Sequence, residues 1–161
     1  MLAAAAGTLV ATVAIPMAFA ADTPAFTTSP EAPPSAIEDF TYPGADAILA
    51  TKGIELKKGD GHILLTDCDY TVDQIRVLTV ADTAAGRAGT YCFHATGTTG
   101  YLTLSLPRVF ALEAADHPLS ADLTANGQTQ TVDLEKGGWE SVGEGTVGGA
   151  RSILVEIRVT G

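Results

Sequence analysis

Two cysteines, three histidines and a scatter of acidic residues are the groups in this 161-residue chain that could do chemistry. Serine hydrolysis needs a nucleophile, a base and an orienting acid brought to one point. The histidines are His62, His94 and His117, and no serine lies in a G-x-S-x-G elbow; Ser141 in WESVGEG resembles one only superficially. His94 alternates with Phe93 in a strand-like run and His117 precedes Pro118, which suits surface or rim histidines. Glycoside cleavage needs two carboxylates, and Glu140 with Glu144, or Asp67 with Asp69, offers such a pair. Any acidic chain offers pairs of that kind. No catalytic residue is assigned, and the chain is not expected to be an enzyme.

Asp60, Asp67, Asp69 and Asp73 cluster in sequence, and oxygen ligands suit a calcium ion. No D-x-D-x-D-G run accompanies them, and aspartate is also a common turn former, so no cofactor is assigned and calcium stays the one candidate ion. Aromatic faces stack on sugar rings, which makes Trp139, the single tryptophan, a candidate contact, with Tyr70 and Tyr101 beside it and Tyr42 and Tyr91 as further members. The bland alternative is that Trp139 plugs one end of a core.

Export sets the context for the cysteines. Residues 2–20 are almost wholly apolar, and Ala18-Phe19-Ala20 fits a small-x-small cleavage site, so 1–20 reads as a secretory signal peptide. No Lys or Arg precedes this run, and the first basic residue is Lys52. A membrane anchor would need about 20 uninterrupted apolar residues, and Thr8, Thr12 and Pro16 interrupt these, so no span is expected once the signal is removed. In an exported chain Cys68 and Cys92 should pair, closing a loop of about 25 residues worth about 3.5 kcal/mol in the chain-entropy model. The formal charge of −10 argues against nucleic acid and against an anionic membrane surface. It favours a soluble monomer, and the leader a secreted, extracellular protein.

The elements that must position these groups read mostly as strands. Residues 21–39, rich in Pro, Ala, Ser and Thr, form a linker, and 40–161 the folded domain. PGADAILATKG carries the marks of one short helix, with Pro43 and Asp46 early, Gly53 as its stop, and Ala47, Ile48 and Leu49 as its oily side. Gly59 and Gly61 supply positive φ in the turn KKGDGH, and HILLT is a short buried strand. QIRVLTV alternates and then slips, which predicts a bulge or a strand covered on both faces. Tyr91 to Phe110 reads as a central hairpin, with Leu102, Leu104 and Leu106 on one face and Pro107 ending the ladder.

Asn126-Gly127 is a two-residue type I′ turn, which puts Ala125 opposite Gln128, Ala121 opposite Val132 and Leu119 opposite Leu134. Trp139 to Val142 makes a short strand, and the last strand sets Ile153, Val155, Ile157 and Val159 on one face. About eight short strands separated by turns predict an all-β antiparallel β-sandwich with one short N-terminal helix, jelly-roll-like or, alternatively, immunoglobulin-like.

The stretches GDGHILLTDCD, YCFHATGTTGYLTLSLPRVFALEAADHP and TVDLEKGGWESVGEG resemble small secreted actinobacterial proteins of unassigned function, over about residues 40 to 161. Similar modules sit behind the catalytic domains of exported hydrolases such as trypsin-like proteases. The half from TVDLEKGGWESVGEG to RSILVEIRV is also similar to the ending of jelly-roll domains attached to polysaccharide-active enzymes. The resemblance implies a folded accessory module and supplies no catalytic residue. Two functions follow as expectations. One is a secreted, non-catalytic binding or accessory module for carbohydrate or cell wall, with a polysaccharide as partner. The other is a protein-interaction or inhibitor-like module acting on an exported protease.

Overall fold

Alternating apolar and polar residues lay down most of the chain as strands with one buried face. The computed structural model describes residues 40–161. The expected leader at 1–20 and linker at 21–39 lie outside the described residues. The elements are α1 (Ala45–Lys52), β1 (Glu55–Gly59), β2 (Ile63–Thr66), β3 (Ile75–Thr79), β4 (Thr90–Ala95) and β5 (Thr99–Pro107), then β6 (Val109–Glu113), β7 (Leu119–Ala125), β8 (Gln128–Leu134), β9 (Trp139–Ser141) and β10 (Ile153–Thr160).

They form two five-stranded antiparallel sheets, ordered β1-β5-β10-β7-β8 and β2-β4-β3-β6-β9. The described residues form an all-β sandwich with one short helix. From β4 to β7 the chain changes sheet at every step, as a jelly roll does, whereas β2, β3 and β4 stay together in the second sheet. Between the layers, Leu102, Leu104, Leu106, Leu154 and Ile157 of the first sheet are buried, as are Ile63, Phe93, Ile75, Val77 and Leu112 of the second. No helix among the described residues is long and apolar enough to cross a membrane.

Several expectations are met in detail. The β7–β8 hairpin has the register read from Asn126-Gly127, and those two residues have φ of 52° and 76°. Gly53 ends α1 in the left-handed region. β3 has a register shift between Leu78 and Thr79 where its pattern slips.

Other expectations are corrected. Among the described residues ten strands form rather than about eight. Tyr91–Phe110 is not a hairpin: β4 belongs to the second sheet and β5 to the first, so the link at residues 96–98 crosses the sandwich. β6 has no counterpart in the sequence reading. Arg108 (φ 62°) enters the left-handed region that few non-glycine residues adopt, and there the chain leaves β5 for the second sheet. Its N–H donates to the Ser152 carbonyl (2.7 Å), and its guanidinium grips both carboxylate oxygens of Glu144 (2.9 and 2.7 Å).

β10 slips between Leu154 and Glu156, so Leu154 is buried and Ile153 is 40 % exposed, against the even alternation expected. HILLT is only half buried, since Leu64 lies on the outer face of an edge strand. Gly61 has positive φ while Gly59 is extended strand. Of the helix's oily residues only Ile48 packs on the core, and Leu49 is exposed.

Candidate functional site

Residues directly opposite one another across a sheet share a face. In the second sheet the row Thr66–Cys92–Arg76–Glu113–Trp139 therefore projects outward, away from the core. At one end the Cys68–Cys92 disulfide (Cα–Cα 5.1 Å) ties the segment after β2 to β4. That segment is held by Gln74, whose side-chain amide donates to the Thr66 hydroxyl (2.8 Å) and the Asp67 carbonyl (3.0 Å) and accepts from the Asp69 N–H (2.8 Å). Asp69 in turn accepts from the Thr71 N–H and hydroxyl, and these bonds hold its carboxyl below the usual carboxylate range. Tyr70 is thus displayed on a pinned loop, 75 % exposed.

Arg76 sits at the middle of the row. Its guanidinium lies 5.2 Å from the Tyr70 ring centroid, donates to Glu113 (2.8 Å) and reaches the Val72 carbonyl (3.1 Å). Its Nε–H is buried with no acceptor, the one such side-chain atom among the described residues. A buried donor left unpaired is costly, by about 1–3 kcal/mol. At the far end the turn before β9 docks through Gly137 N–H to the Ala115 carbonyl and Ala114 N–H to the Gly138 carbonyl (both 2.8 Å), and so presents Trp139, 56 % exposed. Trp139 does not plug the core. From Arg76 to Trp139 is two strand spacings, about 10 Å.

Tyr101 is not part of this surface. β5 lies in the first sheet, and Tyr101 stands on that sheet's outer face opposite Arg158, with its N–H on Asp60 (3.2 Å). Tyr91 is buried, its hydroxyl donating to the Lys52 carbonyl at the end of α1, and Tyr42 is half buried. Of the three aromatic candidates, the fold brings Tyr70 and Trp139 to one face and places Tyr101 on the other.

The calcium candidates do not converge. Asp60 caps the His62 N–H (3.0 Å), Asp67 pairs with Lys52 (3.1 Å), Asp69 closes its own turn and Asp73 is exposed before β3. No group of three or more His, Cys, Asp or Glu among the described residues is arranged to hold a metal ion. The histidines are also apart: His62 is bonded to the Thr99 carbonyl, His117 to the Gly161 carbonyl, and His94 is exposed on β4. Glu144 is taken by Arg108, while Glu140 has no such partner among the described residues.

One charged group escaped the sequence reading because its members lie far apart in the chain. On the first sheet's outer face Arg158 binds both oxygens of Asp122 (3.0 and 3.2 Å) and also contacts Glu156, while Thr131 donates to Asp122 (2.6 Å). The Arg158 guanidinium, then the Thr131 hydroxyl, hold the Asp122 carboxyl below the usual range, and Arg158 is pushed up. A carboxyl depressed in the folded state adds stability above its unfolded value of about 3.9, and that stability is lost as pH falls through the folded value. Asp122→Asn should therefore cost about 1 kcal/mol near neutrality, for a pair partly open to water. The difference from the parent should vanish in strong acid; urea midpoints measured across the acid range check it.

Comparison of the chain with protein-family models gives no match, and comparison with curated proteins gives none either.

Proposed function

We propose that the protein is a secreted, non-catalytic binding module whose second-sheet outer face takes a polysaccharide. The observation that carries this is Trp139, more than half exposed and in register with Glu113 and Arg76, with the exposed Tyr70 stacked over Arg76. Two exposed aromatics on one sheet face, with polar groups beside them, are the kind of surface that marks a contact site. The two rings suit the apolar faces of sugar rings, and the Arg76–Glu113 pair beside them offers donors and acceptors to hydroxyls. The disulfide fits an oxidising compartment, which supports the extracellular reading of the leader.

Retention on insoluble chitin, cellulose and peptidoglycan tests the proposal. At least one should hold the protein, and Trp139→Ala should weaken retention about tenfold, a difference of about 1.4 kcal/mol, with an unchanged melting temperature. No retention on any of the three, or retention indifferent to Trp139, overturns it.

A further inference from the structure

The sheet edges are not treated alike. β1 is covered: the Tyr42 N–H donates to the Lys57 carbonyl (2.8 Å) and the Gly59 N–H to the Phe40 carbonyl (3.2 Å). It also carries two lysines and a register shift. β2 is four residues long, with the Leu65 N–H capped by the Tyr42 hydroxyl (2.8 Å), and β9 is three. β8 runs for seven residues in unbroken register with β7, with no proline, lysine or bulge. Natural sheets avoid such an edge, because it is a template for another strand.

The two-residue turn makes Ala125 and Gln128 a hydrogen-bonded pair, so Gln128, Gln130, Val132 and Leu134 bond to β7. The main-chain groups of Thr129, Thr131 and Asp133 then face outward. Directly inside this edge lies a groove of about 610 Å³ between β8 and the β9 end of the second sheet. Its floor includes the buried Leu123, Val142 and Ser152. Gln128 and Gln130 line one wall at positions whose β7 partners are Ala125 and Leu123, and Glu140 lines the other. Among the described residues these three polar side chains have no hydrogen-bond or ion-pair partner. Among the described residues Glu140 is the only charged one lining the groove.

The geometry points to β8 and this groove as a docking site for an extended polypeptide segment. The segment adds as a sixth strand beyond β8 and sets alternate side chains into the groove, with a lysine or arginine opposite Glu140. Outward N–H and C=O groups at the strand repeat are matched by another main chain, which is the basis of strand-addition recognition. A glycan would satisfy the glutamines and leave those edge groups on water. The unpaired Glu140, on a chain of net charge −10, favours a basic segment and opposes a second copy of this chain. The site is separate from the Trp139 face, which looks outward from the other sheet.

The full chain, ¹⁵N-labelled, is titrated with three blocked peptides: Thr-Val-Thr-Lys-Thr-Val-Thr, the same with Glu for Lys, and the same with Pro for its second, third and fifth residues. In the last, an N–H facing β8 is lost whichever way the strand runs. The lysine peptide should slow amide exchange at Thr129, Thr131 and Asp133. The glutamate peptide should bind about tenfold more weakly and the proline peptide not at all. Thr131→Pro removes an outward N–H without touching the β7 backbone ladder and should abolish lysine-peptide binding. Thr131→Ala, which loses only the side-chain bond to Asp122, should bind as the parent does. Glu140→Lys tests the same site without a proline, and should invert the preference between the first two peptides. Trp139→Ala should leave all of this unchanged, which separates the result from polysaccharide retention. Unprotected β8 amides with every peptide overturn the proposal. So do an unchanged preference in Glu140→Lys, binding of chitohexaose in the groove with the edge amides still exchanging, or a β8–β8 dimer without peptide.

Discussion

Phe93→Ala is expected to cost about 3–5 kcal/mol, the range for emptying a large aromatic from a core. Phe93 is fully buried on β4, between Leu65 of β2 and Ile75 of β3. A side chain flanked by ladders on both sides leaves a cavity that the backbone cannot close, which argues for the upper part of the range. Urea denaturation gives the value directly, as a lower midpoint at unchanged slope. A loss below about 1 kcal/mol would mean that the layers do not meet at Phe93.

Breaking the disulfide comes next in size. Cys68 and Cys92 are separated by 24 positions, so opening the loop should destabilise the domain by about 3.5 kcal/mol, through the freedom returned to the unfolded chain. The double substitution to alanine tests this without a reductant, and the intact mass of the parent should be two hydrogens short. The bond also acts on the proposed binding face. It anchors the loop that displays Tyr70 over Arg76, so the double variant should lose sugar retention more than its folded fraction alone accounts for. Because Cys92 and Phe93 are neighbours, the two losses should not simply add.

What the sequence made legible was local. The β7–β8 register followed from one dipeptide, Asn126-Gly127, because a type I′ turn leaves a single pairing frame. Leu102, Leu104 and Leu106 announced a half-buried strand because an alternating pattern has one structural solution. The cystine followed from there being two cysteines in a chain that looks exported. Sheet membership was not legible. The short link after β4 has the length of a hairpin loop, and nothing in its residues says that it crosses from one layer to the other. That crossing is what sends Tyr101 to the face opposite Trp139. The break at Arg108 was hidden for a related reason: a non-glycine residue with positive φ is held there by Glu144 and the Ser152 carbonyl, contacts made some forty positions away.

The candidate site divides in the same way. Trp139 and Tyr70 stood out as lone aromatics near turns, while the residues that join them, Arg76 and Glu113, carried no signal until β3 and β6 were paired. Gln128 and Gln130 looked like ordinary polar positions of a hairpin. They matter because the opposing sheet ends at the three residues of β9, which leaves inward-facing amides over open space.

The polysaccharide proposal meets its most direct test in an amide-shift titration of the whole chain with soluble oligomers of whichever polymer retains it. The expected result is saturable shifts along Tyr70, Arg76, Glu113 and Trp139, absent in Trp139→Ala and with the first sheet's outer face around Tyr101 silent. Shifts centred on Tyr101 and Arg158, or a titration that Trp139→Ala leaves intact, would contradict it.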